Sequence, residues 1–113
     1  MMTLRDLAER LGLEILTGDV NLAEVVKAGY VSDLLSDVIA NAPEKSIWIT
    51  VQRHVNILGV AQLKEIRAII TPRNLNVESA VIEKARAEGI AMLRSPLSAF
   101  EISGRVYEVL KEA

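Results

Sequence analysis

Apolar residues recur along this chain in two alternating rhythms. Leu4, Leu7, Ala8 and Leu11 follow the spacing of one helix face, and Gly12 stops them, because glycine takes the left-handed conformation at a helix end with little steric cost. Thr3 and Asp6 stand three apart, as in a capping box where hydroxyl and carboxylate each satisfy a backbone donor. Leu13–Thr17 alternates as a strand, Gly18-Asp19 is a turn, and Glu24–Tyr30 reads as a second strand. Ser32 can cap the next helix, with Asp33 in its first turn and Leu34, Leu35, Val38 and Ile39 as its apolar face. Asn41-Ala42-Pro43 ends it, because the residue before proline leaves the α region.

Ser46–Val51 is a third strand. His54–Lys64 is a helix with apolar residues on nearly every side, which predicts burial or an interface. Gly59 within it predicts close packing, since glycine there costs about 1 kcal/mol relative to alanine. Ile66–Thr71 is almost continuously apolar, as in parallel strands covered on both faces. Asn76 can cap a helix over Val77–Glu88 that Gly89 terminates, and Ile90–Leu93 is a last short strand. Ser95-Pro96 places a capping hydroxyl before a proline at the first helical position. The final helix runs from Leu97 to Glu112, with Phe100, Val106, Tyr107, Val109 and Leu110 as expected core residues. From Glu24 onward the order is strictly strand–helix. It predicts an α/β fold of three layers, a mostly parallel sheet with right-handed crossovers and helices on both faces.

Composition narrows the function more than the fold. The 113 residues suit one domain spanning positions 1–113, and no cysteine is present for a disulfide, a thiolate metal site or a nucleophile. A net charge of −2 and 4% aromatic residues leave neither a basic footprint nor a stacking platform for nucleic acid. No apolar run approaches the ~18 residues of a membrane span. The first residues have no signal-peptide pattern, so the cytoplasm is the expected compartment. The surplus of apolar residues and the helix without a polar face predict a homodimer, two-fold dimers being the commonest assemblies.

Catalytic and cofactor motifs are sparse. The chain has no dinucleotide fingerprint, no phosphate-binding P-loop and no nucleophile elbow. Asp33 and Asp37 are spaced to share a helix face, but no third ligand accompanies them. His54, the only histidine, has no partner at metal-ligand spacing. No metal, cofactor or catalytic set is therefore expected. Ligands of open parallel sheets bind at the carboxyl ends of the strands. In this chain those ends are followed by Tyr30–Asp33, by Gln52, Arg53, His54 and Asn56, by Thr71, Arg73 and Asn74, and by Arg94, Ser95 and Ser98. Guanidinium groups near helix N-termini suit phosphate or carboxylate.

Three segments carry a resemblance. Ala28–Val38 (AGYVSDLLSDV), Trp48–Ile57 (WITVQRHVNI) and Gly89–Phe100, with Ser95-Pro96-Leu97-Ser98, resemble the stand-alone DRTGG-domain proteins over nearly the whole chain. That resemblance implies a regulatory α/β domain similar to the N-terminal domain of HPr kinase/phosphorylase. Such domains also accompany CBS domains in regulated pyrophosphatases, where they help form a dimer responsive to adenine nucleotides, and occur within some phosphotransacetylases. Stand-alone members resemble accessory proteins associated with hydrogenases and signalling kinases, and no catalysis is assigned to the domain. The name-giving motif falls at Gln52-Arg53 and at Thr71-Pro72-Arg73, which keep only its arginine and its threonine. Pro72 has no N–H and replaces a glycine, so charge at this turn would come from Arg73.

The expected function is a non-catalytic, ligand-sensing module that takes a small anion, foremost an adenine nucleotide, at the carboxyl edge of the sheet. Tyr30, Ser32, Asp33, Arg53, His54, Asn56, Thr71 and Arg73 are the expected ligand-binding residues. Arg53 and Arg73 would meet phosphate, Ser32 and Asp33 would contact a sugar or order their loop, and His54 would sense pH. The alternative is an accessory protein that binds another protein and no small ligand. An enzyme built on His54 with Asp33 or Asp37 is a third reading.

Overall fold

The computed structural model describes residues 1–113. Its elements are α1 (Leu4–Leu11), β1 (Glu14–Ile15), β2 (Ala28–Val31), α2 (Leu35–Asn41), β3 (Ser46–Ile49), α3 (Asn56–Leu63), β4 (Ala68–Thr71), α4 (Ser79–Ala87), β5 (Ala91–Arg94) and α5 (Ala99–Glu112). The strands lie in the order β1-β5-β4-β3-β2. β2 through β5 are mutually parallel, and β1 alone runs antiparallel, opposing β5 through Glu14↔Arg94 and Ile15↔Leu93.

The period of two along each strand sorts the core into two halves. Ile47, Ile49, Ala68, Ile70, Ala91 and Leu93 face α1 and α5, where Leu4, Leu7, Ile102, Val106 and Val109 cover them. Trp48, Ile69 and Met92 face the other way, under residues of α2, α3 and α4. The three-layer α/β architecture expected from the alternation of elements is the one observed, and its four parallel strands put the loops β2–α2, β3–α3, β4–α4 and β5–α5 on one edge.

Several local expectations differ. Only Glu14–Ile15 of Leu13–Thr17 forms a strand. Leu16 and Thr17 still follow β5, through Leu16 N–H to the Met92 carbonyl at 2.9 Å and Met92 N–H to Thr17 Oγ1 at 3.0 Å. The Glu24–Val26 segment leaves the sheet to hydrogen-bond the chain's own start, Leu4 N–H to the Glu24 carbonyl and Val26 N–H to the Met2 carbonyl. Asn76 does not cap α4, which starts at Ser79 after Glu78 with no side-chain cap. Ser95 does not open the last helix either. Its hydroxyl accepts from Leu97 N–H, while Ser98 and Glu101 form the capping box.

Two packing expectations are corrected as well, and a third falls on one of its two alternatives. Phe100 and Tyr107 are 87% and 69% exposed. Ile102, Val106 and Val109 are the residues that α5 turns onto the sheet, at helical spacing, and the two aromatics fall on the flank beside them. A Cβ built on Gly59 would meet nothing within 4 Å, so no close packing explains that glycine. Finally, Ile57, Leu58 and Ala61 of α3 are buried inside this single chain. The helix without a polar face is thus covered in part by its own sheet and α2, while Val55 and Leu63 at its two ends stay exposed.

Candidate functional site at the carboxyl edge

A dense hydrogen-bond network fixes the β2–α2 and β3–α3 loops to each other. Asp33 stands ahead of α2, not on it, so it shares no helix face with Asp37. Its carboxylate accepts from Thr50 Oγ1 at 2.8 Å and from Val51 N–H at 2.9 Å. Its carbonyl accepts from Gln52 Nε2 at 2.9 Å. The Trp48 indole N–H reaches the Ser32 carbonyl at 2.8 Å, and Ser32 Oγ accepts from Leu34 N–H. Buried indole and hydroxyl donors are costly without partners, and this loop supplies them.

Tyr30 and Asp37 form a second brace. The phenol donates to Asp37 Oδ2 at 2.8 Å, and Asn41 Nδ2 donates to Oδ1 at 2.9 Å. The phenol's hydrogen bond, with support from Ser32 and Asn41, holds the Asp37 carboxyl below its ordinary value of 3.8. The same bond, together with burial and the carboxylate charge, pushes the Tyr30 phenol above its ordinary 10.0. Tyr30, Ser32 and Asp33 are thus each hydrogen-bonded within the chain.

Beside this braced region lies a polar cleft of about 260 Å³, lined by Val51, Gln52, Arg53, His54, Asn76 and Glu78. Arg53 is held from two directions. Its Nε donates to the Val51 carbonyl at 3.1 Å and its Nη1 to the Asn76 carbonyl at 2.7 Å, which joins the β3–α3 loop to the segment before α4. Its Nη2 makes no hydrogen bond within the chain, and the guanidinium has no carboxylate partner within 4.0 Å. His54 is exposed, and its carbonyl accepts from Ile57 N–H in the first turn of α3.

Of the eight residues expected to bind a ligand, the cleft joins Arg53 and His54. Asn56 is exposed at the first position of α3. Thr71 is fully buried, and its hydroxyl has no partner at all. Arg73 is exposed on a turn where it and Asn74 both adopt positive φ, 55° and 50°. This is the backbone that glycines would adopt freely. The turn's donors face inward: Arg73 N–H bonds the Leu97 carbonyl and Asn74 N–H the Ser95 carbonyl, both at 2.9 Å. No backbone anion cradle exists there. Arg94, the third arginine of this edge, donates to Glu14 at 2.8 Å across the β5–β1 pair. Gln52, Asn76 and Glu78 complete the cleft. Gln52 stood in sequence beside Arg53, but Asn76 and Glu78 approach only through the β4–α4 connection, and no local signal marks them.

Neither the family models nor the curated proteins contain a match to this sequence. Solved structures do. The regulatory region of Clostridium perfringens pyrophosphatase, comprising CBS and DRTGG domains in complex with the activator diadenosine tetraphosphate, superposes with a TM-score of 0.69 at 15% identity. The match covers 92% of this chain and 45% of that one, so the chain spans about half of that region. The fold is thus DRTGG-like. No helix of the chain is long and apolar enough to cross a membrane.

Proposed function

We propose that this chain is a regulatory module that senses a small phosphate-bearing ligand, acting by binding rather than by catalysis. One observation carries the reading. Arg53 is fixed by two backbone carbonyls and leaves Nη2 free in a cleft that also holds Gln52, His54 and Asn76. A guanidinium held in advance loses little entropy on meeting an anion and offers it a charge-assisted bond. The 260 Å³ volume suits one phosphoryl group with part of its substituent, not a whole dinucleotide. Glu78 on the same cleft would repel a second phosphate and could accept from a sugar hydroxyl or an exocyclic amine.

The neighbour of like fold is part of a regulatory region with an adenine dinucleotide activator. That supports a nucleotide as the first class to try, although the ligand belongs to a chain of which this one matches 45%. Calorimetric titration with AMP, ATP, diadenosine tetraphosphate and pyrophosphate tests the reading. Heat of binding that diminishes in salt and weakens by about 1.5–3 kcal/mol in Arg53→Ala is expected. No heat at millimolar ligand, or binding indifferent to Arg53→Ala, would overturn it.

A further inference from the structure

A larger hollow, about 690 Å³, lies away from this cleft, between β2 and the outer flank of α5. β2 ends the sheet and has β3 as its only neighbour. The Lys27 N–H bonds the Lys45 carbonyl on the β3 side at 3.0 Å. Further along, the Thr50 N–H bonds the Ile70 carbonyl, so Ser46 and Trp48, in phase with Thr50, face β4, and Ile47 and Ile49 face β2. With Gly29 opposite Ile47 in a parallel pair, Ala28 and Tyr30 bond β3, and Gly29 and Val31 direct their N–H and C=O to the open edge. Edge strands are normally blunted by charge, proline, a bulge or a cover. Ala28-Gly29-Tyr30-Val31 has neither charge nor proline.

The wall of the hollow is aromatic, and its floor is low. Phe100 and Tyr107, two turns apart on α5, are the most exposed large apolar residues after Met1. Between them Gly104 leaves a gap, since a Cβ there would meet nothing within 4 Å. One end of the hollow is cationic. Lys27, just before β2, and Lys111, in the last turn of α5, both line it, and neither is in an ion pair.

We propose that this groove receives the carboxy-terminal segment of a partner protein, added as a strand antiparallel to β2. An antiparallel strand ends at the amino end of β2, where Lys27 and Lys111 would meet its terminal carboxylate. Apolar side chains at alternate positions would face Val31, Phe100 and Tyr107, while backbone bonds to Gly29 and Val31 would supply sequence-independent affinity. A second copy pairing β2 with β2 would bring no carboxylate to the lysines, because Ala28–Val31 carries none.

The test is a selection, on the full chain, from a library of random heptapeptides with free carboxyl termini. Anisotropy then compares the best peptide with its carboxy-terminal amide. Enrichment of alternating apolar residues is expected, with affinity falling at least about fivefold on amidation and in Lys27→Glu/Lys111→Glu, the scale of exposed ion pairs. Gly104→Leu fills the gap while favouring the helix, and it should abolish binding without lowering the melting temperature. Arg53→Ala should leave peptide binding intact, which separates this site from the polar cleft. No enrichment over an empty matrix, equal binding of the amide, or indifference to Gly104→Leu would each overturn the proposal. So would light scattering showing a dimer that Gly104→Leu dissociates, since the groove would then be a self-interface.

Discussion

Asp33 reaches from the β2–α2 loop to Thr50 at the end of β3, where its carboxylate accepts from the buried hydroxyl and from the next backbone N–H. Two neighbouring loops are thereby fixed through one side chain, and the polar cleft is built on the second of them. Asp33→Ala should cost about 1–3 kcal/mol, because it leaves the Thr50 hydroxyl and the Val51 N–H in search of partners. Asp33→Asn should recover part of this, since its amide oxygen still accepts. Urea denaturation of the two variants measures the difference. A loss of ligand binding with unchanged stability in Asp33→Ala would instead make Asp33 a ligand contact.

The turn Thr71-Pro72-Arg73-Asn74 holds two successive non-glycine residues at positive φ. For an L-residue this conformation costs roughly 1–2 kcal/mol, less for asparagine. Arg73→Gly relieves the strain at the expense of a more flexible unfolded chain, for a net gain of about 0.5–1 kcal/mol. Asn74→Gly should gain less. Thermal unfolding would show the order, and a loss of stability in Arg73→Gly would mean that the arginine side chain makes up for its backbone.

Thr71 poses a related question one residue earlier. Its hydroxyl is buried with no partner, which costs about 1–3 kcal/mol relative to an apolar group of the same shape. Thr71→Val should raise stability by about 1 kcal/mol, read from the chemical denaturation midpoint. A destabilised variant would mean that the hydroxyl has a partner in solution.

The layer structure was legible because helix and strand periods differ, and glycines at 12 and 89, both at positive φ, mark two helix ends. The site was less legible. Sequence spacing brings Arg53 and His54 together, but Asn76 has the sequence of a helix cap, whereas its carbonyl is the long-range partner of Arg53 at 2.7 Å. For Tyr30 and Asp33 the sequence shows polar residues at the sheet's carboxyl edge but not their partners, Asp37 and Thr50, which lie on other segments of the chain. Phe100 and Tyr107 show the same limit for the core: an aromatic on a helix flank has no periodic signature that separates burial from an open groove.

Gly59 lies inside α3 with open space where a Cβ would go. Glycine in a helix interior costs about 1 kcal/mol relative to alanine. Gly59→Ala should therefore stabilise the protein by up to about that amount, seen as a melting point raised by several degrees. If stability falls, α3 must bend or move in a way that the extra methyl group prevents.

The Tyr30–Asp37 pair gives the fold a pH dependence at both extremes. In the folded state Asp37 is held below its ordinary 3.8 by the phenol's hydrogen bond. Its contribution to stability is therefore complete above the unfolded value and is lost as pH falls through the lower folded one. Tyr30 is raised above 10.0, so its contribution is complete below that value and is lost as pH rises through the higher folded one. Tyr30→Phe removes the main support of both shifts. The variant should lose stability near neutral pH, and its stability should fall less steeply than that of the parent between pH 4 and the folded Asp37 value. The alkaline limb of the profile should flatten as well. Denaturant midpoints across the pH range, with the Asp37 carboxyl followed by NMR, would decide. An Asp37 titration unchanged in Tyr30→Phe would show that Ser32 and Asn41 hold the carboxylate without the phenol.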